Sequence, residues 1–125
     1  MGGRIITISW KGEDYTLNED EAFLAASEVE EVITVGELVT MLQSLASIKF
    51  ARLARAYGAL LREAGANVTD REIHDEFKKA LSGGKAAEKL ALARTALLTL
   101  TGILMDGAPA AGEDKEPKNE SSPSS

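Results

Sequence analysis

Apolar residues recur along this chain at a spacing that changes from two to between three and four, marking where strands give way to helices. Within Arg4-Ile5-Ile6-Thr7-Ile8-Ser9-Trp10, the residues Ile6, Ile8 and Trp10 alternate onto one face, which predicts a strand. Lys11-Gly12-Glu13-Asp14 predicts a turn, and Tyr15-Thr16-Leu17 begins the returning strand. Two strands alone are marginal, so this hairpin is expected to lie on helices.

The helices announce themselves by their caps. Asn18 with Glu21 has the spacing of a capping box and opens a helix to about Glu30, with Phe23, Ala26 and Val29 roughly one turn apart. Thr34 with Glu37 repeats the signature before an apolar stripe of Leu38, Met41, Leu42 and Leu45. Whether the next helix continues from it or separates near Ser47 is left open by the pattern. Phe50, Leu53, Ala54, Tyr57, Leu60, Leu61 and Ala64 then follow helical spacing, with Lys49, Arg52, Arg55 and Arg62 on the opposite side. Gly58 inside that helix costs about 1 kcal/mol relative to Ala, and close approach by another helix is the expected compensation.

Gly65 stops the helix and Thr69 with Glu72 caps the next one, so Leu60–Glu72 forms a complete helix stop and restart. Ile73, Phe77, Ala80 and Leu81 continue as a stripe until Gly83-Gly84. A last helix is expected from about Lys85 to Met105. Ala86, Leu90, Ala93, Leu97, Leu100 and Leu104 form one apolar side, and Leu92, Ala96 and Ile103 form another. A helix with two apolar sides is either central to a bundle or covers a partner. From Asp106 on, Pro, Gly, Ser, Glu and Lys predominate, predicting a disordered acidic tail over 106–125 behind a domain at 1–105. The predicted fold is α+β and mostly α: a short N-terminal β-hairpin packed on a bundle of about four to five helices.

The 125 residues suffice for one modest core and contain no cysteine, which excludes disulfides, thiolate nucleophiles and Cys-based metal sites. The longest uncharged run, Thr95–Met105, is far short of the roughly 20 residues of a membrane span. Met1-Gly2-Gly3-Arg4 has no apolar run behind it, and Ile6 stands where a myristoylation motif wants Ser or Thr. A soluble chain is expected. Net charge is −6, unevenly placed: residues 1–37 hold nine acids and two bases, 38–105 hold six acids and ten bases, and 106–125 hold five acids and two bases. Such halves attract each other within a molecule or between copies, while the overall acidity argues against general nucleic-acid binding.

Candidate chemistry is sparse. His74, the sole histidine, has Asp75 and Glu76 beside it, but adjacent helical residues point apart and cannot converge on an ion; Asp70, four residues back, is its possible pair. Ser82-Gly83-Gly84-Lys85 resembles the end of a phosphate loop, but Ala86 replaces the required Ser or Thr and no strand precedes it. Glu28, Glu30 and Glu31 lack the apolar pocket that separates two carboxyl pKa values. Asn67-Val68-Thr69 matches a glycosylation acceptor but reads as a helix start. The helix–turn–helix at 50–82 would bring Asp70, Glu72, Asp75 and Glu76 against phosphates, so it does not suit a DNA reader. No catalytic residue, cofactor site or metal site is expected. The basic stripe of Lys49, Arg52, Arg55 and Arg62 suits an acidic protein surface, and Leu92, Ala96 and Ile103 suit a self-association or client surface.

These elements in this order resemble the small tail assembly chaperones of long-tailed phages and the related tail proteins of gene transfer agents. The resemblance rests on the hairpin ending in Tyr15-Thr16-Leu17, the acidic helix Glu21–Glu31, the segment Gly36-Glu37-Leu38-Val39-Thr40-Met41-Leu42, and above all Leu60-Leu61-Arg62-Glu63-Ala64-Gly65 with Val68-Thr69-Asp70-Arg71-Glu72-Ile73, before an alanine- and leucine-rich last helix. It covers roughly residues 4–105. It implies a non-catalytic protein in the host cell cytoplasm that binds the tape measure protein and keeps it soluble until the tail tube protein polymerises around it. It also implies a homo-oligomer with no nucleic acid, membrane or cofactor. The other readings are a structural tail or neck component of the virion and a small nucleic-acid-binding regulator.

Overall fold

A computed structural model describes residues 5–83 and 89–106; the predicted tail and the predicted helix start near Lys85 lie outside the described residues. Strands β1 (Ile6–Trp10) and β2 (Glu13–Leu17) pair antiparallel from Ile6 opposite Leu17 to Trp10 opposite Glu13. Lys11 and Gly12 both have positive φ, 51° and 84°, as a two-residue hairpin turn of this twist requires. The turn is therefore tighter than the expected four residues, and Glu13 and Asp14 belong to β2. Ile6, Ile8, Trp10 and Leu17 are buried while Thr7 and Ser9 face out, so alternation places the hairpin on the helices.

Five helices follow among the described residues: α1 (Glu19–Glu30), α2 (Val35–Gln43), α3 (Phe50–Glu63), α4 (Asp70–Ser82) and α5 (Ala91–Asp106). A 3₁₀ turn at Leu45–Ser47 separates α2 from α3. All three predicted capping boxes form. The Glu21 N–H donates to Asn18 Oδ1 and the Asn18 N–H to Glu21 Oε1, both at 2.8 Å. Thr34 and Glu37 repeat the exchange at 2.9 and 3.1 Å, and Thr69 and Glu72 at 2.7 and 3.1 Å. At the other end of α3, Gly65 has φ 98°; its N–H donates to the Arg62 carbonyl at 3.0 Å, and Ala66 donates to Leu61 at 2.9 Å. This left-handed stop satisfies carbonyls that the helix leaves open.

The core gathers around α3 and α5. Helix α3 packs on α1, α4 and α5, and α5 also meets α1, α2 and α4. The two-sided α5 is therefore central: Ala93, Ala96, Leu97, Leu100 and Ile103 are all buried. Trp10 meets Tyr57 edge-on with centroids 5.8 Å apart, and Phe50 meets Phe77 at 6.0 Å, which ties the hairpin and α4 to α3. Lys11 in the hairpin turn adds an ion pair to Glu76 on α4 at 3.1 Å.

Helix α1 sits differently from the expected face. Ala22, Ala25 and Val29 are buried and Phe23 is 69% exposed, because its acids share the Phe23 side and cannot be buried unpaired. The close approach expected at Gly58 comes from the first residue of α4. A Cβ there would collide with Asp70 Oδ1 and lie 2.9 Å from Arg62 Nη1, so the glycine leaves room for an ion pair spanning the α3–α4 junction.

Gly58→Ala should therefore depend on its background. With Asp70 present the methyl displaces the pair; in Asp70→Ala the gain of about 1 kcal/mol in helix propensity emerges. Urea unfolding of the four members of this cycle should show Gly58→Ala to be more favourable in Asp70→Ala by on the order of 1 kcal/mol.

Candidate functional site

Seven residues were expected to meet a partner: Lys49, Arg52, Arg55, Arg62, Leu92, Ala96 and Ile103. The structure removes most of the apolar set from the surface. Ala96 and Ile103 are 1% and 0% exposed, and Leu92 is half-buried against the core. Enclosure of α5 by its neighbours turns both apolar sides inward, so these three are packing residues. What α5 shows outward instead is Leu98 at 53% and Met105 at 66% exposure.

The basic stripe divides. Arg52 is engaged by Glu37 across fifteen residues of chain. Arg62 Nη1 donates to the Val68 carbonyl at 3.2 Å and lies 2.9 Å from Asp70 Oδ1. That approach is a charge contact without hydrogen-bond alignment, since Asp70 Oδ1 is buried with no hydrogen-bond partner. Asp70 thus turns to Arg62 and not to His74. Lys49 and Arg55 stay exposed with no ion pair among the described residues, and they are the two stripe cations able to meet a partner.

Lys49 borders a depression of about 470 Å³ where the start of α2, the 3₁₀ turn and the start of α3 converge. Buried Met41 contributes an apolar wall, Gly36 keeps the rim low, and Thr34, Thr40 and Ser47 supply hydroxyls. Val35 and Val39, four residues apart on α2, are exposed on another side of that helix. Glu37 lines the same depression, and its carboxyl is held below the ordinary value of 4.5 chiefly by the Thr34 backbone N–H, with the Arg52 and Lys49 charges adding and desolvation opposing. The arrangement is an apolar recess with a cation and an anion at its edge, large enough for one or two side chains. A smaller cleft of about 160 Å³ lies between the hairpin and α4, bordered by Trp10, Tyr15, Glu72 and Glu76. Its Glu76 carboxyl is also lowered, first by Lys11, against desolvation.

No nucleophile–base pair is assembled around these recesses. Burial pushes the Tyr57 phenol up, with a hydrogen bond to Thr99 acting the other way. Among the described residues no three of His, Cys, Asp and Glu converge to hold a metal ion, and no helix is long and apolar enough to cross a membrane. No protein-family model, characterised protein or solved structure matches the chain.

The sequence pattern missed Val35, Val39, Phe23, Leu24, Leu98 and Met105 as surface residues. For α1 a signal existed: Phe23 and Leu24 fall on the same helical side as Asp20 and Glu31, which marks that side as outward.

Both lowered carboxyls bear on stability. A carboxyl held lower in the folded chain than in the unfolded one stabilises the fold above the unfolded value of 4.5, and this is lost as pH falls through the folded value. Glu37→Gln and Glu76→Gln should each flatten the decline in stability as pH drops below about 4.5. Urea midpoints measured from neutral pH downward would check it.

Proposed function

We propose that this chain is a non-catalytic tail assembly chaperone of a phage or prophage, which binds the tape measure protein and keeps it soluble until the tail tube protein assembles around it. The observation that supports this most is the α2–α3 recess, where Met41 forms an apolar wall and Lys49 stands at the rim. A holdase needs apolar surface that stays outside its own core and charge that keeps the complex dissolved. An amphipathic client helix would place an apolar side chain over Met41 and an acidic one against Lys49, as helix-in-groove recognition requires. The internal engagement of Arg52 and Arg62 withdraws half of the basic stripe from any nucleic-acid contact, which disfavours the regulator reading.

Coexpression with the tape measure protein of the same gene cluster tests the proposal. The client should remain soluble with the unmodified chain and precipitate with Thr40→Trp, which fills the recess and whose far-ultraviolet circular dichroism should be unaltered. Lys49→Glu should weaken capture several-fold, with a steeper loss at low salt. A client that stays soluble without the chain, or the presence of the chain in purified mature particles, would overturn the chaperone reading.

A further inference from the structure

The cleft of about 160 Å³ between the hairpin and α4 gathers more acid than its own bases neutralise. Residues opposite each other in a hairpin share a face, so Glu13 stands with buried Trp10, and Tyr15 with buried Ile8, on the inner side. Helix α4 brings Glu72 and Glu76, four residues apart and so neighbours on its surface, to the same cleft. Lys11 meets Glu76 at 3.1 Å, and Lys79 reaches the same carboxylate at 3.4 Å. Glu13 and Glu72 have no ion pair among the described residues. The three carboxylates do not converge as the ligands of a metal ion would. They stand instead around two aromatic rings, with Trp10 at 5% exposure as the floor and Tyr15 half-buried at the side.

We infer that this cleft takes the guanidinium of an arginine presented by another protein. A wide, planar cation suits carboxylates that are too spread for a metal ion. It can lie on the Tyr15 ring and donate from its two edges to Glu13 and Glu72 at once. An ammonium is compact and would satisfy a single carboxylate, as Lys11 does with Glu76. The volume admits the end of one side chain, so the arginine backbone would stay outside the cleft. Free arginine fits less well, because its own carboxylate would be drawn toward an acidic rim. This assignment does not rest on the client recess, which uses α2 and α3.

Trp10 is the only tryptophan in the chain, so its fluorescence reports on the cleft directly. Titrating the full chain with an end-blocked Gly-Arg-Gly peptide should give a saturable change. The same peptide with citrulline, which keeps the shape of arginine without its charge, should give none. A Gly-Lys-Gly peptide and free arginine should each bind several-fold more weakly than the arginine peptide. Glu13→Gln and Glu72→Gln should each weaken the arginine peptide by roughly tenfold, with unaltered circular dichroism, since glutamine at position 72 still serves the capping box. The inference is overturned by the absence of a saturable change, or by an equal response to citrulline or lysine. Free arginine that binds as tightly as the peptide would overturn it too, as would glutamine variants that bind like the unmodified chain.

Discussion

Enclosure of α5 is the constraint on which the other elements depend. A helix with Ala93, Leu97 and Leu100 on one side and Ala96 and Ile103 on another has no arrangement in which a single neighbour hides it. Helices α1, α2, α3 and α4 all touch it, so one helix is shared by four neighbours. The hairpin then closes what remains, with Trp10 against Tyr57 on α3. A two-stranded ribbon has too little surface to stand alone, and here its inner face is shared with the bundle.

Local chemistry was legible in the sequence and long-range pairing was not. Each capping box depends on two residues three apart, and Asn18–Glu21, Thr34–Glu37 and Thr69–Glu72 all close as their spacing requires. Gly65 likewise signals its own left-handed stop. The orientation of α1 escaped because Phe23, Ala26 and Val29 count as an apolar stripe while alanines count for little. Yet small residues let α1 approach α3 and α5 closely, and the acids beside Phe23 hold that side in water. The fate of the basic stripe escaped for another reason. Arg52 finds Glu37 and Arg62 finds Asp70 across loops whose path no periodicity records.

The distinction matters for the candidate site, because a surface stripe and a core stripe have the same spacing. Ala96 and Ile103 have the periodicity of an exposed binding face, and only the presence of neighbours on both sides of α5 assigns them to the interior. Leu98 and Met105, on the third side, were overlooked because Arg94 and three threonines surround them. Amphipathic patterning ranks faces by hydrophobicity, so on a helix with three partly apolar sides it selects the two that are buried and not the one left for a partner.

Ion pairing further narrows what the outside of this fold can do. The guanidiniums of Arg52 and Arg62 are more than a third exposed, so their pairs contribute little to stability. Their effect is on availability. A cation already facing a carboxylate offers less to a phosphate or to an acidic partner, whereas Lys49 and Arg55 keep their full charge for one. The surface therefore separates into a mixed recess at α2–α3, an acidic apolar stripe on α1 and an apolar stripe on α5. Three outward apolar regions on so small a domain add little to its own core, because their side chains stay in water. Surface of that kind is what the proposed client binding would use, with the core serving to hold it in place.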